Sequence, residues 1–125
     1  MGLFIHGTEG KEIENVRTYR ITDYLSQPEL LTQLAEEAAE LAQAALKLRR
    51  ALTGENPTPV TVTQAVHDLN EEIADVRLCA DQVVYINPEF LEETMLLKKE
   101  RWIGRLRRNA ERNEERGTKE TECED

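Results

Sequence analysis

The sequence predicts an all-α protein: an antiparallel bundle of about three main helices, with a four-helix-type core completed by oligomerisation. Aromatic residues make up only 5% of the 125 residues and charged residues 33%, which suits amphipathic helices better than β-sheets. In two long segments, apolar residues also recur at alternating steps of three and four, the period of a helix that packs along one stripe. A chain of this length holds one domain with a modest core.

The first long helix is predicted to follow an irregular lead, residues 1–26, that contains at most one short helix. It should begin at Ser26-Gln27-Pro28-Glu29, because Ser26 can cap the helix and proline is tolerated in the first turn. It should end at Thr53-Gly54, before a proline-rich segment. Its predicted packing stripe consists of Leu31, Leu34, Ala38, Leu41, Ala45, Leu48 and Leu52.

Two further helices are predicted downstream. The second is capped by Thr61 or Thr63 and runs to about Tyr85, because Asn87-Pro88 stops it. The third begins at Pro88, which makes residues 27–110 the predicted helical domain. Residues 111–125 have almost no apolar side chains to bury and are predicted to form a disordered polar tail. The predicted stripe of the second helix consists of Val62, Val66, Leu69, Ile73, Val76, Ala80 and Val83.

The charge of the chain limits its partners. A formal net charge of −9 argues against a nucleic-acid-binding protein, since phosphate backbones need a basic surface. No apolar run approaches the roughly 20 residues of a membrane span, and the first residues lack the features of a secretory signal. We therefore expect a cytoplasmic protein with neither a membrane nor a nucleic-acid partner. Between Lys98 and Arg108, however, six cations stand against the single acid Glu100.

Two pairs of acidic residues lie at the middle of the first two helices: Glu37 with Glu40, and Glu72 with Asp75. Residues three apart share a helix face, and antiparallel packing brings the centres of the two helices level. Four converging carboxylates repel one another without a counter-charge, and the hard cation Mg²⁺ prefers oxygen ligands. The pairs predict a magnesium site, with Mn²⁺ as an alternative ion. Ordinary solvated helix positions are the other interpretation.

These two motifs, EExxE at residues 36–40 and ExxD at residues 72–75, resemble those of the MazG-like all-α nucleotide pyrophosphohydrolases. The resemblance covers residues 29–101, over half of the chain. It implies Mg²⁺-dependent cleavage of a nucleoside or deoxynucleoside triphosphate between the α and β phosphates, which gives a monophosphate and pyrophosphate. The implied metal ligands are Glu37, Glu40, Glu72 and Asp75.

The resemblance also implies catalytic roles for Glu36 and Lys98. Glu36 is the candidate for a second metal or for orienting the attacking water. Lys98 stands at the basic position of the family's third helix and would reach the phosphates, with Lys99 and Arg101 as near alternatives. A solvated cationic helix face is the other interpretation of these three residues.

Long apolar stripes and few aromatic residues leave the helices poorly covered in a monomer. We therefore expect a homodimer or homotetramer, which the resemblance also implies. The alternative function is a non-catalytic helical oligomerisation or interaction module, whose stripes exist to pair with partner helices. The two functions differ in whether Glu37 and Glu72 matter and in whether Mg²⁺ stabilises the fold.

Overall fold

The computed structural model describes residues 18–54 and 60–124, with side chains up to residue 119, and these residues are largely helical. A short 3₁₀ helix, Ile21–Asp23, precedes three α-helices: α1 (Gln27–Thr53), α2 (Val62–Asp81) and α3 (Pro88–Glu124). The described residues contain no strand, so the predicted all-α class is confirmed. Most of the predicted irregular lead, residues 1–17, and the proline-rich link at residues 55–59 lie outside the described residues.

Both ends of α1 are as the sequence predicts. The Oγ of Ser26 accepts the backbone N–H of Glu29 at 3.3 Å, and Pro28 lies in the first turn. At the other end Gly54 adopts a left-handed conformation with φ 67° and donates its N–H to the carbonyl of Arg50 at 2.8 Å. Glycine adopts this conformation without the steric cost that a Cβ adds.

Helix α2 begins as predicted and ends earlier than predicted. The Oγ1 of Thr61 accepts the N–H of Gln64 at 3.1 Å, so Thr61 rather than Thr63 is the cap. The helix stops at Asp81, whereas the sequence predicted about Tyr85. The sequence predicts that Asn87-Pro88 ends the helix. In the structure the helix ends at Asp81, before these residues.

The early end of α2 is stabilised by the first residue of α1. The side chain of Gln27 donates to the carbonyl of Gln82 at 3.1 Å and accepts the N–H of Val84 at 3.0 Å. These two bonds satisfy backbone groups that leave the helical pattern beyond Asp81. Because Gln27 and Val84 are far apart in sequence, local signals could not predict this end.

Helices α1 and α2 pack against each other in antiparallel orientation. Near one end the Cys79 thiol donates to the carbonyl of Leu30 at 3.4 Å, and near the middle Glu37 lies close to Glu72. The same register brings Ala44 level with Ala65, and both are buried. We call this pair of helices the hairpin. Its buried or half-buried stripe consists of Leu30, Leu34, Glu37, Leu41, Ala44, Leu48 and Ala51 in α1 and Ala65, Leu69, Glu72, Val76, Cys79 and Val83 in and just after α2.

The predicted stripes were therefore partly wrong. Every second member of the observed stripe lies one residue earlier than predicted, so that Glu37 replaces Ala38 and Glu72 replaces Ile73. Two small residues, Ala44 and Ala65, are buried members of the observed stripe. The displaced large residues are exposed: Leu31, Leu52, Val62, Val66 and Ile73.

The chain forms two compact units that divide between Tyr85 and Ile86. The hairpin belongs to the first unit and α3 to the second. Helix α3 begins after Asn87, whose side chain accepts the N–H of Phe90 at 3.2 Å. None of the helices within the described residues is both long enough and apolar enough to cross a membrane.

Helix α3 continues to Glu124, whereas the sequence predicts a disordered polar tail at residues 111–125. The prediction rested on the shortage of apolar side chains. Glutamate, arginine and lysine are good helix formers, however, and Glu115 lies four residues before Lys119, a spacing that favours helix. The backbone can thus stay helical where there is little to bury.

Candidate metal centre

The centre of the hairpin is a layer of two glutamates instead of two apolar residues. Glu37 and Glu72 each occupy a packing position and are half-buried. Glu40 lies one turn after Glu37 and is more exposed. One carboxylate oxygen from each of the three residues lies within 4.8 Å of the other two. The fold thus brings together three of the four predicted metal ligands.

Two oxygens in this layer have no hydrogen-bond donor. The Oε2 atoms of Glu37 and Glu72 are buried from solvent and lack a partner within the described part of the chain. A buried polar oxygen without a donor is unfavourable, and a buried carboxylate more so. The other oxygen of Glu37, Oε1, accepts a short bond of 2.7 Å from the Gln33 amide. Gln33 therefore fixes the carboxylate while leaving Oε2 free.

The surroundings of Glu37 disfavour its charge. The hydrogen bond from Gln33 lowers the pKa of Glu37, but desolvation and the nearby carboxyl groups of Glu40 and Asp75 outweigh it. The pKa of Glu37 is consequently raised above its usual value of 4.5. Burial and opposing like charges both act against ionisation. A cation at this layer would reverse that effect.

Two further predicted acids lie at the edge of the layer. Asp75 is outside the group of three oxygens, yet it lines the same cavity as Glu37 and its charge acts on that residue. Glu36 is exposed and lies four residues before Glu40, hence on the same flank of α1. Asp75 therefore borders the central layer, and Glu36 shares a helix flank with Glu40.

The predicted phosphate-binding residues lie on the second unit. Lys98 and Arg101 line one groove of α3 together with Trp102, Arg105 and Arg108. Lys99 is exposed and does not line that groove. Lys98 and Arg101 lie three residues apart, which places them on one face of the helix. Contact between these cations and a phosphate stays a prediction.

An apolar cavity adjoins the glutamate layer on the side of the α1 N terminus. Its volume is about 190 Å³. Burial raises the pKa of the Cys79 thiol, and the charge of Glu37 raises it further, so this thiol stays protonated and is not a nucleophile at neutral pH. The lining residues are Ile21, Leu25, Leu30, Gln33, Glu37, Asp75, Leu78, Cys79 and Gln82.

A charged groove adjoins the layer on its other side. It has a volume of about 610 Å³ and contains two cations, Lys47 and Arg50, that the sequence analysis did not connect with the acids. The signal was present, because Lys47 follows Glu40 by seven residues, two helical turns along the same flank. The lining residues are Glu40, Gln43, Ala44, Leu46, Lys47, Arg50, Asp68, Glu71 and Glu72.

A second group of potential metal ligands consists of His67, Asp68 and Glu71, whose nearest ligand atoms also lie within 4.8 Å of one another. His67 and Glu71 are exposed. The imidazole contacts Asp68 at 3.7 Å and Glu71 at 3.6 Å, which accounts for the arrangement as local charge pairing. This group has no donor-free buried oxygen, in contrast to the layer at Glu37 and Glu72.

The donor set at the centre of the hairpin fits a hard divalent cation. Such ions take carboxylate oxygens as ligands and compensate their mutual repulsion. Glu37, Glu40 and Glu72 converge, and two of their oxygens lack any other partner. No family model, no curated protein and no solved structure matches the chain.

Proposed function

We propose that the protein is a Mg²⁺-dependent nucleoside triphosphate pyrophosphohydrolase that releases a monophosphate and pyrophosphate. The observation that carries the proposal is the pair of buried, donor-free oxygens of Glu37 and Glu72 with Glu40 beside them. A fold without a ligand at this position gains nothing from two facing glutamates in its packing stripe. The resemblance in residues 29–101 supplies the reaction class.

In this proposal Glu37, Glu40 and Glu72 hold the cation, with Asp75 at the edge of the site. Mg²⁺, when bound, neutralises phosphate charge and lowers the pKa of a coordinated water. Gln33 orients Glu37 through its 2.7 Å hydrogen bond. Glu36, exposed on the flank of Glu40, orients the attacking water and accepts its proton.

Lys98 keeps its proposed contact with the phosphates, and Lys99 and Arg101 are the neighbouring candidates. Cations at this position would stabilise the charge that develops on the leaving pyrophosphate. The proposal is supported by the excess of cations between Lys98 and Arg108 and by the groove that Lys98 and Arg101 line together.

The test is an assay of pyrophosphate and monophosphate release from a panel of nucleoside and deoxynucleoside triphosphates with Mg²⁺. We expect the wild type to release both products, and Glu72→Gln to lose at least about 100-fold in rate, because weakening even the supporting contacts of a metal costs 10- to 100-fold. Glu93→Gln, an exposed acid of α3, is the matched control and should act as wild type. Release of no product by the wild type from any substrate would refute the proposal.

We propose further that the protein works as a homodimer or homotetramer. The hairpin exposes large apolar residues along one flank, among them Leu31, Leu52, Val66 and Ile73, with 38–66% of their surface accessible. Contiguous apolar surface of this kind marks an interaction site in soluble proteins. A second copy that covers this flank would complete a four-helix core.

The exposed apolar flank also supports a second candidate function, a non-catalytic oligomerisation module. That function requires the flank and does not require the acids. It predicts that Glu37→Gln and Glu72→Gln leave assembly unchanged and that Mg²⁺ does not raise the melting temperature. A metal site predicts stabilisation of the wild type by Mg²⁺ through mass action, and no such effect in the variants.

A further inference from the structure

The glutamate layer, formed by Glu37 and Glu72, lies between two spaces of different chemistry. Toward the α1 N terminus is the apolar cavity, and toward the α1 C terminus is the charged groove. Glu37 lines the first space, Glu40 lines the second, and the two residues are one helical turn apart. A ligand centred on the layer therefore meets apolar side chains at one end and charged side chains at the other.

The two cations of the charged groove have no partner of their own. Lys47 and Arg50 are half-buried, and within the described residues neither side chain forms an ion pair or a hydrogen bond. Asp68 and Glu71 line the same groove, yet they contact His67 instead. Half-buried cations without a counter-ion are unfavourable and are typical of a site for an anionic ligand.

We propose that Lys47 and Arg50 bind the pyrophosphate end of the substrate, and that the apolar cavity receives its nucleoside end. This inference rests on the proposed function and adds a direction to the bound substrate. Arginine binds phosphate oxygens through two N–H groups at once and lysine through a point charge, so the pair suits a diphosphate. Because Asp68 and Glu71 also line the groove, the ligand bound there is the magnesium complex of pyrophosphate.

The place of the nucleoside end is inferred from the side chains that line the apolar cavity. The apolar cavity offers Leu25, Leu30 and Leu78 as an uncharged surface, and the amide of Gln82 also lines it. Small-molecule sites commonly combine an apolar lining with a few polar groups in this way. A polyphosphate could not occupy this cavity without losing its hydration against apolar side chains.

The first experiment measures binding of inorganic pyrophosphate by calorimetry in the presence and absence of Mg²⁺. We expect Lys47→Gln/Arg50→Gln to weaken binding about tenfold or more, the size expected for hydrogen bonds to charged groups. Mg²⁺ binding without pyrophosphate should be unchanged in this variant. The matched control is Arg77→Gln/Arg112→Gln, which removes the same charge elsewhere and should bind pyrophosphate as wild type does.

The outcomes separate the two proposals. If the wild type binds Mg²⁺ and pyrophosphate, and Lys47→Gln/Arg50→Gln binds pyrophosphate equally well, the assignment of the groove is wrong while the metal centre stands. If the wild type does not bind Mg²⁺, the proposed function fails and this inference fails with it. Pyrophosphate binding that is as strong without Mg²⁺ as with it would also overturn the assignment.

The second experiment tests the direction of the substrate. Leu78 lines the apolar cavity and is 54% exposed, so Leu78→Ser should fold. We expect this variant to bind a nucleoside triphosphate analogue with a methylene between the α and β phosphates several-fold more weakly, and to bind pyrophosphate normally. Leu91→Ser, at an exposed leucine of α3 that lines neither space, is the control. Equal loss for both ligands, or no loss for the analogue, would contradict the direction.

Discussion

At the scale of single residues, the hairpin carries a feature that opposes folding unless a cation is present. Glu37 and Glu72 face each other in the packing stripe with one buried, donor-free oxygen each. Removing a carboxylate from water and placing it among like charges disfavours its ionised state. Desolvation and the charges of Glu40 and Asp75 raise the pKa of Glu37 in this way, against the opposing hydrogen bond from Gln33.

The raised pKa predicts a pH dependence for the metal-free protein. Folded Glu37 binds its proton more tightly than unfolded Glu37, so ionisation of this residue costs stability as pH rises from about 4.5 through the raised pKa. Below that window the cost is absent, and above it the cost is complete. Relative to Glu37→Gln, the wild type should therefore lose stability as pH rises from about 4.5 through the raised pKa of Glu37.

Urea unfolding at several pH values, with a chelator present, measures this difference. Glu93→Gln serves as the control and should follow the wild type at every pH. A gap between wild type and Glu37→Gln that does not change with pH would show that the carboxylate is not destabilised by its neighbours. Excess Mg²⁺ should close the gap at neutral pH by stabilising the wild type alone.

At the scale of helices, the sequence predicted what local signals determine and missed what long-range contacts determine. The Ser26 cap and the Gly54 stop were predicted, and the cap of α2 was narrowed to Thr61 or Thr63, because each works through backbone groups within four residues. The end of α2 was not, because it depends on Gln27 of the other helix. Helix α3 extends beyond the last apolar residues, where the sequence predicts its end.

The candidate site was predictable in composition and less so in position. Helical spacing indicated Glu37, Glu40, Glu72 and Asp75, and the fold brings the first three together. The sequence placed Glu37 and Glu72 beside the packing stripe, however, since Ala38 and Ile73 are the more apolar choices. The structure places the glutamates within it, in the same stripe as the buried Ala44 and Ala65. The cations Lys47 and Arg50 were missed because they lie outside the motifs.

The contact between helices predicts a measurable role for Gln27. Replacing it by alanine removes both bonds to the end of α2 and leaves the Gln82 carbonyl and the Val84 N–H without this partner. We expect a loss of about 1–2 kcal/mol in the free energy of unfolding. Urea unfolding of Gln27→Ala provides the measurement.

Asn70→Ala is the matched control for this prediction. Its amide donates to the carbonyl of Val66 within the same helix, at 2.8 Å, so its loss leaves the contact between helices intact. A smaller effect is expected, because a helix carbonyl already accepts a backbone bond. If the two variants lose equal stability, the contact between helices is not what sets the end of α2.

At the scale of the whole molecule, the two flanks of the hairpin differ in character. Leu31, Leu52, Val66 and Ile73 lie on one flank and are exposed, whereas Glu36, Glu40 and Glu71 belong to the other. In an antiparallel pair of helices, corresponding flanks fall on the same side. One side of the hairpin is thus suited to a partner, and the other side is left open to a charged ligand.

The apolar flank predicts that assembly depends on its side chains. Val66→Glu/Ile73→Glu places two charges on this flank and should convert the proposed homo-oligomer to monomers, with a lower melting temperature. Sedimentation velocity measures the change in mass. Gln43→Glu, which lies in the charged groove, is the control and should keep the wild-type mass. A wild type that sediments as a monomer would contradict the proposed assembly.

The central claim is that Glu37, Glu40 and Glu72 form a site for a divalent cation, and Mn²⁺ binding tests it most directly. Electron paramagnetic resonance reports the free Mn²⁺ remaining as protein is added. We predict that the wild type and Glu93→Gln bind Mn²⁺, that Mg²⁺ displaces it, and that Glu72→Gln binds at least about tenfold more weakly. Equal binding by the wild type and Glu72→Gln, or no binding by the wild type, would contradict the account.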